Sequence, residues 1–336
     1  MLFIAACNFP GTSTVASPTS LPEISPRPSE PGATFLPPVS KNKVIFVSPL
    51  DANRFLADQL ERELETLTLA EGMRWERMQS ISSEDIDPQT RIVIAFENDP
   101  GLRTLQIANP DVQFLAVAIH GLEAGSNLSI IGPEGLRIDQ QAFIAGFLAA
   151  VITPDYRVGV ISLADTIEGR AAQHGFFNGA RYYCGLCRQA YPPFTDYPKH
   201  VQLPDSELDW QTVLDAAIQN HIETVYISSL PTSDSALVHL AQSRLRMLGG
   251  EPRPDNFPKE LWVATVRMDP AYGLRVLWDD LLAGMPGVSM PMQLTIEEVN
   301  PALLTPGRQR LVEEIRDKIL AGYIDTAVDP FTGDPR

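Results

Sequence analysis

The chain has 336 residues, 44% of them hydrophobic and 20% charged, a globular composition with more length than one core comfortably organises. Its formal net charge of −16 weighs against a surface that binds nucleic-acid phosphates or an anionic bilayer electrostatically. No internal stretch approaches the roughly 18 consecutive apolar residues of a spanning helix, so a two-lobed body outside the bilayer is expected.

The N-terminus reads MLFIAAC and then loses all hydrophobic pattern. Ile4-Ala5-Ala6-Cys7 resembles a lipobox, the bacterial signal whose cysteine becomes a lipidated first residue, which gives residues 1–7 as a short lipoprotein signal and Cys7 as the lipidation site. Residues 8–42 are dominated by Pro, Ser and Thr, hold few large apolar groups and read as an extended tether. The plain alternative is a frayed tail with an incidental cysteine.

From Lys43 the pattern becomes regular. VIFVSP (44–49) is a buried-strand run, and Asp51 is a plausible cap for a helix in which Phe55, Leu56, Leu60, Leu64 and Leu67 recur at helical spacing. RIVIAF (91–96), VQFLAVAI (112–119) and LSIIG (128–132) are further strands, with a short helix after Pro100. A helix beginning near Asp139 carries Ala142, Ala145, Gly146, Ala149 and Ala150, small enough for close approach to a sheet or a second helix. A short turn at 153–156 then feeds the strand RVGVIS, so this stretch marks the seam between lobes. The same rhythm continues with helices near 167–183, from Asp209 and from Ser235 to Leu248, and strands at HVQL, ETVYISS and LWVATV. A helix through Leu274 to Leu282, a strand-like MPMQLTI and a helix from Gln309 to Leu320 close the pattern. Alternation of this kind predicts an α/β chain with two doubly wound parallel sheets. The expected first lobe is 43–135 with a returning segment at about 268–292, and the second is 136–267 with a C-terminal segment at about 293–330.

Ligands of open α/β sheets bind beyond the carboxyl ends of the strands. That rule selects Asp51, Asn53 and Phe55 after the first strand, Phe96, Glu97 and Asn98 after RIVIAF, and His120 after the third. In the second lobe it selects Asp165, Ser229, Arg267 and Asp269. Phe55 and Phe96 are the stacking candidates for a planar ligand, with core packing as the alternative for each. Asn98 and Asp99 can equally cap the following helix. Cys184-Gly185-Leu186-Cys187 fits a redox pair, half a zinc site or a structural disulfide; the one other cysteine is Cys7 and the five histidines are scattered, so zinc is set aside and a disulfide is preferred for an oxidising compartment. Nucleophile elbow, Walker loop, dinucleotide fingerprint and zinc-protease motifs are all missing from the sequence, so no enzyme, metal or cofactor is expected.

Three segments carry a resemblance. Asp139-Gln140-Gln141-Ala142-Phe143-Ile144-Ala145-Gly146-Phe147-Leu148-Ala149-Ala150, then Val158-Gly159-Val160, then His174-Gly175-Phe176-Phe177-Asn178-Gly179-Ala180 resemble the basic membrane protein family of solute-binding lipoproteins. Asn109-Pro110-Asp111-Val112-Gln113-Phe114 and Lys318-Ile319-Leu320-Ala321-Gly322-Tyr323-Ile324 are similar to two of its other motifs, so the likeness spans residues 43–326. It implies a type I periplasmic-binding-protein fold, two lobes joined by three crossovers, that closes on a small molecule and delivers it to an ABC permease. It further implies a purine nucleoside as ligand and a lipid anchor at the outer face of the cell membrane. Where the family has "D-x-S-F-N" this chain has Asp51-Ala52-Asn53-Arg54-Phe55, and the carboxylate the family often carries near Ala118 to His120 is missing. A sensor or regulatory module with a non-nucleoside ligand is the alternative on the same scaffold.

Overall fold

The computed structural model describes residues 42–163, 165–188, 194–203, 210–228 and 233–336. The first sheet is built from β1 (Lys43–Val47), then, after α1 (Arg54–Ala70), β2 (Arg74–Met78) and β3 (Thr90–Phe96). It continues through α2 (Leu102–Ala108) into β4 (Gln113–Val117) and β5 (Leu128–Ile131). The chain then leaves for α3 (Ile138–Ile152), β6 (Val158–Ser162), α4 (Ile167–Cys184), β7 (Lys199–Gln202) and α5 (Trp210–Gln219). The second lobe goes on with β8 (Thr224–Ile227), α6 (Asp234–Gln242), β9 (Arg246–Gly249) and β10 (Trp262–Asp269). Next come α7 (Pro270–Ala283), β11 (Ser289–Met290), β12 (Gln293–Glu297) and α8 (Pro306–Leu320).

Among the described residues, two six-stranded sheets result. Their orders are β11-β5-β4-β3-β1-β2 and β12-β10-β9-β8-β6-β7, parallel throughout except where β12 returns antiparallel to β10. The chain therefore passes between the sheets three times: through 132–137, at Asp269 to Pro270, and through 291–292. Each strand of a two-faced sheet sends successive side chains to opposite sides. Val44, Phe46, Ile92, Ile94 and Phe96 accordingly pack with Leu60, Leu64, Leu277 and Trp278 of α1 and α7, while Ile45, Val47, Val93 and Ala95 pack with Leu102 and Leu105 of α2. In the second lobe Val158, Val160 and Tyr226 face α3 and α4, and Ile161, Val225 and Ile227 face α5 and α6.

The Ala- and Gly-rich helix α3 is buried on nearly every side, and its close partner is α4. The two backbones all but touch. A Cβ on Gly146 would sit 2.1 Å from the Phe176 carbonyl oxygen, and one on Gly179 would sit 1.9 Å from that of Phe143.

Two local expectations are corrected and one strand was unanticipated. Asn53, not Asp51, caps α1, its Oδ1 accepting from the Leu56 amide at 3.1 Å, because helical geometry begins only at Arg54. The helix expected from Ser235 to Leu248 ends at Gln242; Arg244 turns left-handed, and β9 follows with Met247 and Leu248 on opposite faces. β2 was missed by sequence pattern because it is an edge strand, RWERM, exposed enough to carry charge.

Candidate functional site

Along the carboxyl edge of the first sheet the chain turns sharply at three neighbouring strands. Glu97 after β3, Ala118 after β4 and Gly132 after β5 have φ of 59°, 56° and 69°, and Gly121 follows at 81°. For Glu97 and Ala118 the left-handed region is disfavoured by the Cβ, and such outliers concentrate where a fold presents groups to a ligand.

Glu97 is the centre of this rim. Its Oε2 accepts the Asn53 amide at 2.8 Å, which ties the end of β3 to the cap of α1. Burial pushes the Glu97 carboxyl above the ordinary carboxylate range, and the charges of Asp51 and of Glu168, from the start of α4 in the other lobe, push it further; the Asn53 amide opposes them. Asp51 is exposed beside it.

Phe55 and Arg267 meet across the lobes. The Arg267 guanidinium lies 6.0 Å from the centroid of the half-buried Phe55 ring, within cation–π range. It is held there by a bidentate pair with Glu297, Nε to Oε2 at 2.7 Å and Nη2 to Oε1 at 2.8 Å. Burial raises the Glu297 carboxyl, but the hydrogen bonds and charge of Arg267 outweigh it, so the group titrates below its ordinary value. Glu297 was not selected by sequence reasoning; its β12 strand runs antiparallel, so the strand-end rule does not reach it.

Other selected residues have different duties. Phe96 is fully buried, in phase with Ile92 and Ile94, and its ring packs in the core with no face open to a ligand; the stacking role expected of it is corrected. Asp269 is buried and caps α7, accepting the Tyr272 amide at 3.0 Å, with Arg275 at 3.7 Å. The N-cap of α2 is Gly101, while Asp99 Oδ1 accepts the amides of Gly101 and Leu102 just ahead of the helix, and Asn98 is exposed. Asp165 is exposed just before α4, its carbonyl accepting from Arg170 at 3.5 Å. His120 is exposed at the rim, and its ring meets Phe331 edge-on at 4.5 Å. Ser229 and Cys7 lie outside the described residues. Cys184 and Cys187 stand at the end of α4 with Cα atoms 4.9 Å apart, a separation that a disulfide spans.

Sequence reasoning also missed a loop that returns to this rim. Residues 327–336 fold on themselves through a bridge between Val328 and Pro335, and they pack against the first turns of α4. Its one aromatic, Phe331, sits in a turn-rich DPFTGD stretch with no hydrophobic period to mark it.

No family model matches the chain, and no curated protein does. Solved structures do. A solute-binding protein of an ABC transporter system from Conexibacter woesei is 14% identical over 86% of this chain and 99% of that one, with a TM-score of 0.59. Another from Aeropyrum pernix is 13% identical over 84% and 92% of the two chains, with a TM-score of 0.52. A transcriptional activator of the comK gene from Bacillus halodurans is 12% identical over 84% and 98%, with a TM-score of 0.54. The likeness at these identities is one of architecture, and on it the chain has the two-lobed α/β fold of ABC-transporter solute-binding proteins.

Proposed function

We propose that this chain is an extracytoplasmic solute-binding lipoprotein that takes a small molecule between its lobes and presents the closed form to an ABC permease. The observation that carries this reading is the convergence of residues from both lobes: Asn53, Phe55 and Glu97 from one with Arg267 and Glu168 from the other. Architectural likeness to two ABC solute-binding proteins supports it. A ligand that touches both rims has more contacts in the closed state than in the open one, and that difference drives closure.

The chemistry of the rims fits a planar, hydrogen-bonding molecule. Phe55 offers a ring face, Arg267 a guanidinium already paired on one side, and Glu97 a half-buried acceptor that gains from a hydroxyl or N–H donor. A purine nucleoside meets all three demands. Lipidation of Cys7, a tether over 8–42 and a Cys184–Cys187 disulfide belong to the same reading, since each suits a protein held outside the cytoplasm.

A second reading has its own support. One structural neighbour is a transcriptional activator, so the same scaffold serving as a sensor that signals closure to a protein partner is the alternative.

A thermal-shift screen separates the outcomes. A ligand at a hundred times its dissociation constant stabilises the native state by about 2.7 kcal/mol, enough to raise the melting temperature by a few degrees. Purine nucleosides are expected to give that shift, and Arg267→Ala to reduce it. A shift with a different metabolite class would replace the nucleoside, and no shift with any small molecule would turn the assignment toward the partner-binding alternative.

A further inference from the structure

We infer that the C-terminal hairpin, residues 327–336, is a latch: it is anchored to the second lobe and grips the first through Phe331 on His120. The anchor is extensive. Thr326 is buried against Asp139 of α3, its hydroxyl donating to that carboxylate, and its carbonyl accepts from Asn178 Nδ2 at 2.8 Å. Arg170 of α4 donates to the Thr332 carbonyl from Nε at 3.1 Å and Nη2 at 2.8 Å, and pairs with Asp334 at 3.3 Å. Gly333 lies so close to α4 that a Cβ there would come within 2.4 Å of the Ile167 carbonyl oxygen.

The hairpin also braces itself. The Asp329 amide donates to the Asp334 carbonyl at 2.8 Å, the Arg336 amide to the Ala327 carbonyl at 3.0 Å, and Asp329 Oδ1 accepts the Phe331 amide at 2.8 Å. The Phe331 ring is thereby carried on a stiff mount fixed to the second lobe. It nevertheless remains 49% exposed, and its ring partner, His120, belongs to the first lobe, in the loop between β4 and β5. Every anchoring contact named above lies on one lobe and the aromatic contact lies on the other. Separation of the rims must therefore break the ring pair while leaving the anchor intact.

The latch holds the rims together without any ligand, so it sets the resting balance between joined and separated lobes. An edge-to-face aromatic pair is worth enough to change that balance roughly two- to tenfold. The full chain, free of ligand, is compared with Phe331→Ala and with His120→Ala by small-angle scattering and by hydrogen exchange of the loop at 118–125. Both variants are expected to show a larger radius of gyration and faster exchange in that loop, and the double variant to add nothing to either single one. Phe331→Tyr, which keeps the ring, is expected to behave as the parent chain. Scattering and exchange unchanged in both single variants, or effects that add in the double variant, would overturn the latch. Because no ligand is used, failure of the nucleoside assignment leaves this test untouched.

Discussion

Glu97 combines a left-handed backbone, a half-buried carboxyl and two acidic neighbours, an arrangement that disfavours its own charge. Its folded-state pKa lies above the ordinary value of 4.5, so the proton is held more tightly in the folded chain than in the unfolded one. The contribution to stability is then fully present below that ordinary value and is lost as pH rises through the folded pKa. Glu97→Gln, which keeps an acceptor for the Asn53 amide, is expected to melt above the parent at pH 7 and to converge with it as pH falls below about 4.5. A pH series of melting temperatures reads this, and parallel curves would remove the carboxyl charge as the cause. Asn53 and Glu97 were within reach of the sequence because a strand's end shows in its apolar run, whereas Arg267, expected just past a strand ending at 266, lies inside β10, which runs on to Asp269. Phe96 was within reach too, for its parity with Ile92 and Ile94 directs it to the core, whereas the strand-end rule alone misassigns it.

Helices α3 and α4 show why small residues cluster at 142–150 and again at 172–180. Their backbones approach until the Phe176 and Phe143 carbonyls, facing Gly146 and Gly179, leave no room for a methyl, and the atoms in the way are main chain rather than flexible side-chain tips. Gly179→Ala is therefore expected to destabilise the fold by about 1–3 kcal/mol or more, as overpacking does, measured by urea unfolding. A change near zero would mean that the helices can slide apart freely. The sequence announced the close approach through Ala and Gly, but the identity of the partner needed the structure. Elements covered on both faces were legible as continuous apolar runs. The edge strand β2 and the four-residue β9 were not, since one carries charge at a sheet margin and the other supplies only Met247 and Leu248 to two different clusters. The hairpin that carries Phe331 was illegible for a further reason: its position depends on a chain return that no local period encodes.

At the scale of the whole molecule, one cluster of buried side chains includes Leu60 and Trp278 of the first lobe, Met268 and Met292 at the crossings, and Phe176 and Tyr226 of the second. The described residues, from 42 onward, also form one compact unit. A core shared in this way couples the lobes, so the body is expected to unfold in a single calorimetric transition with equal calorimetric and van't Hoff enthalpies. Two resolved transitions would show that each lobe carries its own stability. The triple passage between the sheets has a further consequence, for neither lobe is a continuous piece of the gene. Truncation from either terminus removes strands or helices from both halves before it isolates one, and a protease that cuts one passage leaves two others intact. A nicked molecule would keep its lobes paired, and the pieces would part only on denaturation.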